Sequence, residues 1–163
     1  GLSVEAGHAR ENPHAHLQNL LSVMLSLTLA WTMATDIRHR IVPNWVVLVV
    51  IALAPAMWFI SDLALWPEIV VRLLLASLCF VIFAAIFATG KMGGGDVKLI
   101  SALSLWFAPQ DLIWFLITMS LIGGGLSLVM LGHARLRHQP TPDVPYGVAI
   151  SLGAMALLLR PLL

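Results

Sequence analysis

The segment TGKMGGGDVKLISALSLWF, residues 89–107, places three consecutive glycines and an aspartate at the head of an apolar run, with a lysine two residues further on. From Val97 the run continues only to Pro109, about 12 residues, which at about 1.5 Å each spans about 18 Å of a hydrocarbon core about 30 Å thick. A membrane helix that short has to start below the surface, so the glycine segment dips inward and takes Asp96 with it. Backbone without helical hydrogen bonds survives at that depth only where it lines a wet cavity or is buried in protein. Gly93, Gly94 and Gly95 allow the unusual φ/ψ and the close approach that such a cavity edge requires. An aspartate near the bilayer centre costs roughly 2.5–3.5 kcal/mol on insertion scales, which makes a carboxylate at depth a functional candidate.

The composition demands the membrane that this reading presupposes. Of the 163 residues, 60% are hydrophobic and 10% charged, too few polar groups to cover a surface facing water. The formal net charge of +1 gives no reason to expect a nucleic-acid partner. Apolar runs at residues 17–35, 45–61, 64–89, 97–108, 112–132 and 146–163 predict an all-α polytopic membrane protein, a bundle of about six transmembrane helices in hairpin order. The first run is long for a signal peptide and its basic residues follow it rather than precede it, so it reads as a retained helix. Residues 1–16 form a polar, extracytoplasmic tail and 17–163 a single transmembrane domain. Cys79 lies inside the third run with no CxxC spacing and reads as packing. His8, His14 and His16 in the tail lack acids at ligand spacing, so neither a metal nor a cofactor is expected.

With the N-terminus outside, the inner loops hold Arg38, Arg40, Lys91, Lys98, Arg135 and Arg137, six of the nine Lys and Arg residues, as the positive-inside rule requires. Glu68 and Arg72, near the start of the third run, can reach the interface. In this orientation Asp36, Asp96 and Asp143 face the cytoplasm.

Each has a plain structural role to set against a chemical one. Asp96 after glycines can be a helix N-cap. GKMGGG has the glycine spacing of a phosphate loop but lacks the following Lys-Ser/Thr, and Asp96 would repel the anion. Pro43 ends the first helix and Asn44 can cap the second. Arg38 and Arg40 read as anchors at the headgroups, and Asp143 as a carboxylate balancing Arg135 or Arg137 at a wet surface. Lys98 points away from Asp96 on a regular helix and snorkels to the interface, where it could also meet a substrate acid or a lipid head. Gly123, Gly124 and Gly125 suit close helix packing. Asp36 is harder to explain away, because an acid at a helix C-terminus opposes the macrodipole.

D36-I-R-x-R-I-V-P-N44 after a first membrane helix, G93-G-G-D-V-K-L99 opening a later one and V144-P-Y-G-V-A-I150 opening the last resemble the type IV prepilin peptidases. The match includes the Gly-x-Gly-Asp signature of intramembrane aspartyl proteases, and the last motif looks like the small tight-adherence (Flp) pilus branch. The resemblance implies that Asp36 and Asp96 are a catalytic pair. It also implies a substrate, a prepilin or pseudopilin helix whose short basic leader is cut after a glycine on the cytoplasmic side of the bacterial inner membrane. Pro145 and Gly147 belong to the last motif and are expected to shape the site, as are Gly93, Gly94, Gly95, Asn44 and Lys98. Larger relatives carry a cytoplasmic segment with paired cysteines and an N-methyltransferase activity. With one cysteine, and that in a membrane run, no such activity is expected. Helix dipoles favour Asp96, at a helix N-terminus, as base and Asp36, at a C-terminus, as acid. Two other classes use similar features. A proton-coupled transporter subunit has paired intramembrane acids, but lacks here the broken helices in matching halves. A non-catalytic pilus-assembly protein would need the packing glycines but not two acids at one depth. The sequence does not specify an oligomeric state.

Overall fold

A computed structural model describes residues 13–162. Expectations that fall on residues 1–12, among them the role of His8, lie outside the described residues. Six α-helices follow one another: α1 (Ala15–His39), α2 (Asn44–Ile60), α3 (Val70–Ala88), α4 (Gly94–Ser104), α5 (Pro109–Leu136) and α6 (Tyr146–Leu158). A π-helical turn, Leu65–Ile69, leads into α3 and a 3-10 turn, Arg160–Leu162, follows α6. The chain is therefore all-α, with helices where the apolar runs placed them. By length and composition α1, α5 and α3 with its leading turn are able to cross a membrane, while α2 and α6 are shorter apolar helices.

The short α4, with 11 residues, is the inner element. Val97, Leu99, Ile100, Ala102, Leu103 and Ser104 are buried, and the helix packs against α2, α3 and α6. In contrast, α3 buries only Ala76 and Cys79 and exposes Leu73, Leu74, Leu78 and Val81. Lipid is the solvent for such a surface. A helix that stops inside a bilayer leaves its last carbonyls without partners, and side chains of α2 and α3 supply them here. Trp58 Nε1 donates to the Leu105 carbonyl at 2.9 Å, and Arg72 Nη1 to the Trp106 carbonyl at 2.6 Å. Arg72 thus turns into the bundle rather than snorkelling to the interface. Trp106 Nε1 in turn donates to the Val50 carbonyl at 3.0 Å.

Where small residues let them, the helices approach closely. A Cβ added at Gly153 of α6 would stand 3.2 Å from the Met119 backbone of α5, and one at Gly123 3.5 Å from Ala149 Cβ, whereas Gly124 and Gly125 meet nothing within 4 Å. Of the three glycines expected to pack helices, only Gly123 does so within the chain.

Candidate active site

Asp36 lies in the last turns of α1. The helix ends at Arg40, whose left-handed backbone (φ 55°) turns the chain while its N–H donates to the Asp36 carbonyl at 2.9 Å. The connection then runs to Val42, which is buried. A Cβ on Gly95 would lie 3.0 Å from Val42 Cβ and 3.2 Å from the Val42 carbonyl oxygen. Gly95 therefore lets the α1–α2 connection rest on the first turn of α4, drawing the chain that follows Asp36 onto the turn that carries Asp96.

At the head of α4 the N-cap is Gly93, in extended conformation, and Asp96 is the third helical residue. Asp96 is not itself the N-cap; its carboxylate reaches back to the Gly93 backbone N–H, as the third residue of a capping box does. The three glycines are not equivalent. A Cβ at Gly93 would press to 3.2 Å from Asp96 Oδ2, and one at Gly94 would only touch the Phe87 ring at 3.4 Å.

The Asp36 carboxylate meets the start of α6. Val148 N–H donates to Oδ2 at 3.2 Å, and the Gly147 N–H also faces the carboxylate. Those are the third and second residues of α6, whose N-cap, the buried Pro145, supplies no capping side chain. Asp36 caps α6 from another helix, satisfying donors that would otherwise be orphaned in the bundle. Gly147 makes the approach feasible: a Cβ there would stand 2.8 Å from Asp36 Oδ2 and 2.9 Å from Cγ. The placement that looked unfavourable at the end of α1 is a favourable anion position at the N-terminus of α6. Both acids therefore sit at helix N-termini, and the dipole argument for dividing base from acid loses its footing.

Both carboxylates line one cavity of about 580 Å³ and are close enough to interact electrostatically. Each residue is nearly buried, Asp36 5% and Asp96 8% exposed. The α1–α2, α3–α4 and α5–α6 connections converge there, contributing Arg40, Lys91 and Asp143 among others. The guanidinium of Arg40 donates to the Asp143 carbonyl, tethering the α5–α6 connection to the end of α1. Asp143 is exposed, as expected of a residue at a wet surface, and it borders the cavity where its backbone carbonyl meets Arg40. Tyr146 and Met92 complete the inner wall. Met92 and Tyr146 drew no reading of their own in the sequence and Arg40 only that of a headgroup anchor, because their place depends on how connections far apart in the chain meet.

Of the seven residues expected to shape the site, Gly93 lines the cavity and Gly147 lies against the Asp36 carboxylate, whereas Gly94, Gly95, Pro145, Asn44 and Lys98 are not among the lining residues. Asn44 is exposed as the first residue of α2, whose N-cap is Pro43, and no side chain caps that helix. The β/extended backbone of Pro43 takes the capping position one residue earlier than expected. Lys98 lines a separate groove between α2, α3 and α4, as its two-residue offset from Asp96 along a helix implies. Among the described residues no cluster of three or more His, Cys, Asp or Glu side chains could hold a metal ion.

A family model described as the type IV leader peptidase family matches residues 23–128. The chain belongs to the type IV leader peptidase family. This leader peptidase-like membrane protease carries both Asp36 and Asp96 within the matched stretch, while α6 with Gly147 lies beyond it. Comparisons with curated proteins and with solved structures gave no match.

Proposed function

We propose that this family member is a membrane-embedded aspartyl endopeptidase that removes the short basic leader from Flp-type prepilins or pseudopilins, with Asp36 and Asp96 as its catalytic pair. The observation that carries the proposal is the convergence of the two carboxylates, from helices α1 and α4, on one cavity at the end of the bundle where three connections meet. Two acids that face each other across a water do not both ionise freely, so the pair holds one proton between them. The ionised partner takes a proton from water as the oxygen attacks the scissile carbonyl carbon. The protonated partner hydrogen-bonds the carbonyl oxygen as charge develops on it. Collapse of the tetrahedral intermediate breaks the C–N bond, and the departing amine takes up the proton that the base removed from water, which returns the pair to its starting state. Apparent pKa values then belong to the pair, and either aspartate can act as base.

The excess of Lys and Arg in the connections at this end supports an orientation with the cavity on the cytoplasmic side of the bacterial inner membrane, the polar tail outside and one peptidase domain over residues 17–163. A transporter has no need of family membership among leader peptidases. A scaffold that binds prepilin without cutting it is separated by one comparison. The double variant Asp36→Asn with Asp96→Asn, purified in detergent, should bind prepilin as the wild type does and release no leader. Mass spectrometry of the wild-type products should place the cut after a glycine. Leader release by the double variant at the wild-type rate would refute the proposal.

A further inference from the structure

On the far side of α4 from the aspartates, a groove of about 480 Å³ runs between α2, α3 and α4. It shares no lining residue with the aspartate cavity. Its wall is apolar apart from Ser77, Ser101 and Lys98, and both serine hydroxyls are already committed to carbonyls of their own helices, Leu73 and Val97, at 2.8 Å. Lys98 is exposed, and among the described residues nothing pairs with its ammonium.

The order of the lining residues gives the groove a direction. At the cavity end of the bundle α2 begins at Asn44, α3 ends at Ala88 and α4 begins at Gly94. Val47, Val81 and Lys98 therefore lie nearest that end, and Leu73 and Leu105 furthest from it. From Val81 to Leu73 is about 12 Å of helix. Lys98 stands at the cavity end of an apolar channel, and the channel opens on α3, where Leu73 and Val81 are exposed.

We propose that this groove is a binding site for an anionic phospholipid, one acyl chain lying between α2, α3 and α4 and the phosphate held by Lys98. The charge distribution selects this occupant. A lone cation above an apolar slot matches a lipid with net negative charge better than a zwitterionic one, whose own ammonium would oppose Lys98. A substrate helix leaving the aspartate cavity is not led here, because α4 stands between the two. The proposal rests on the membrane character of the chain and does not depend on its catalytic chemistry.

Native mass spectrometry of the full chain, released from detergent with equal phosphatidylglycerol and phosphatidylethanolamine of identical acyl chains, tests it. Wild-type protein should retain one phosphatidylglycerol in preference to phosphatidylethanolamine. Lys98→Gln should cut that preference about fivefold, the loss of one cation's attraction for an anionic headgroup, and Lys98→Arg should keep it. Ser77→Phe, which fills the slot, should lower retention of both lipids, and it decides the matter should Lys98→Gln fail to fold. An unchanged preference in Lys98→Gln, or unchanged retention in Ser77→Phe, would overturn the site. So would photo-crosslinking from position 77, in native membranes, to prepilin or to a second copy rather than to lipid.

Discussion

Replacing Gly147 by alanine adds one methyl group at the point where α1 and α6 meet. That methyl would stand 2.8 Å from Asp36 Oδ2, and ordinary contact begins at 3.4 Å, so the carboxylate has to retreat by about 0.6 Å. The retreat stretches the 3.2 Å bond from Val148 N–H, a hydrogen bond to a charged group worth about 1.5–3 kcal/mol. Helix propensity runs the other way, since Ala is favoured over Gly by up to about 1 kcal/mol in a helix. The protein should therefore still insert and fold, with its damage confined to the position of Asp36. A displacement near 1 Å at a reacting group costs about 100-fold in rate, so cleavage should fall about 10- to 100-fold, or about 1.4–2.7 kcal/mol. Purified Gly147→Ala and wild-type enzyme, incubated with prepilin in detergent and followed by gel shift, measure this directly. Gly124→Ala, where the new methyl meets nothing within 4 Å, should cut normally. Cleavage by Gly147→Ala within twofold of wild type would show that Asp36 does not work from the start of α6.

Gly95→Ala should instead lower stability, because its methyl would meet the Val42 backbone, which cannot swing away as a side chain can. A loss of about 1–3 kcal/mol is expected from such overpacking, read as a lower thermal midpoint in detergent, and an unchanged midpoint would contradict the packing described for the α1–α2 connection. Orientation is tested by single cysteines at positions 62 and 139 in a background lacking Cys79. Only position 62 should react with an impermeant thiol reagent in intact cells, and the reverse pattern would invert the topology.

Hydropathy alone places every helix, because in a bilayer the length of an apolar run and the need to satisfy its backbone leave few alternatives. Gly93, Gly94 and Gly95 do not take the irregular backbone expected of them, since Gly94 and Gly95 open α4 and Gly93 is extended; only the close approach that glycine permits was legible. Legibility ended where a residue's partner lies far along the chain. Nothing near Asp36 indicates that α6 offers it two N–H groups, since Val148 is 112 positions away, and read locally its helix end looked unfavourable. Gly95 is explained by Val42, 53 positions away, and Arg40 by the Asp143 backbone carbonyl, 103 positions away. Asn44 failed as a cap because Pro43 already holds that position, a choice between neighbours that composition does not decide. The inward turn of Arg72 needs an α4 that ends inside the bundle, and only the packed structure shows which carbonyls it leaves free.

The central claim is that the two aspartates form a single catalytic unit. Asn nearly matches the shape of Asp but neither ionises nor shares the proton of a pair, so Asp36→Asn and Asp96→Asn should each abolish leader cleavage while the protein still binds prepilin. Asp62→Asn, at the opposite end of the bundle, is the control and should still cut, as an exposed carboxylate contributes about 0–1 kcal/mol. Gel-shift cleavage of prepilin by the two purified single variants is the measurement. Loss of cutting in both is the predicted result, and normal cutting by either one would contradict the account.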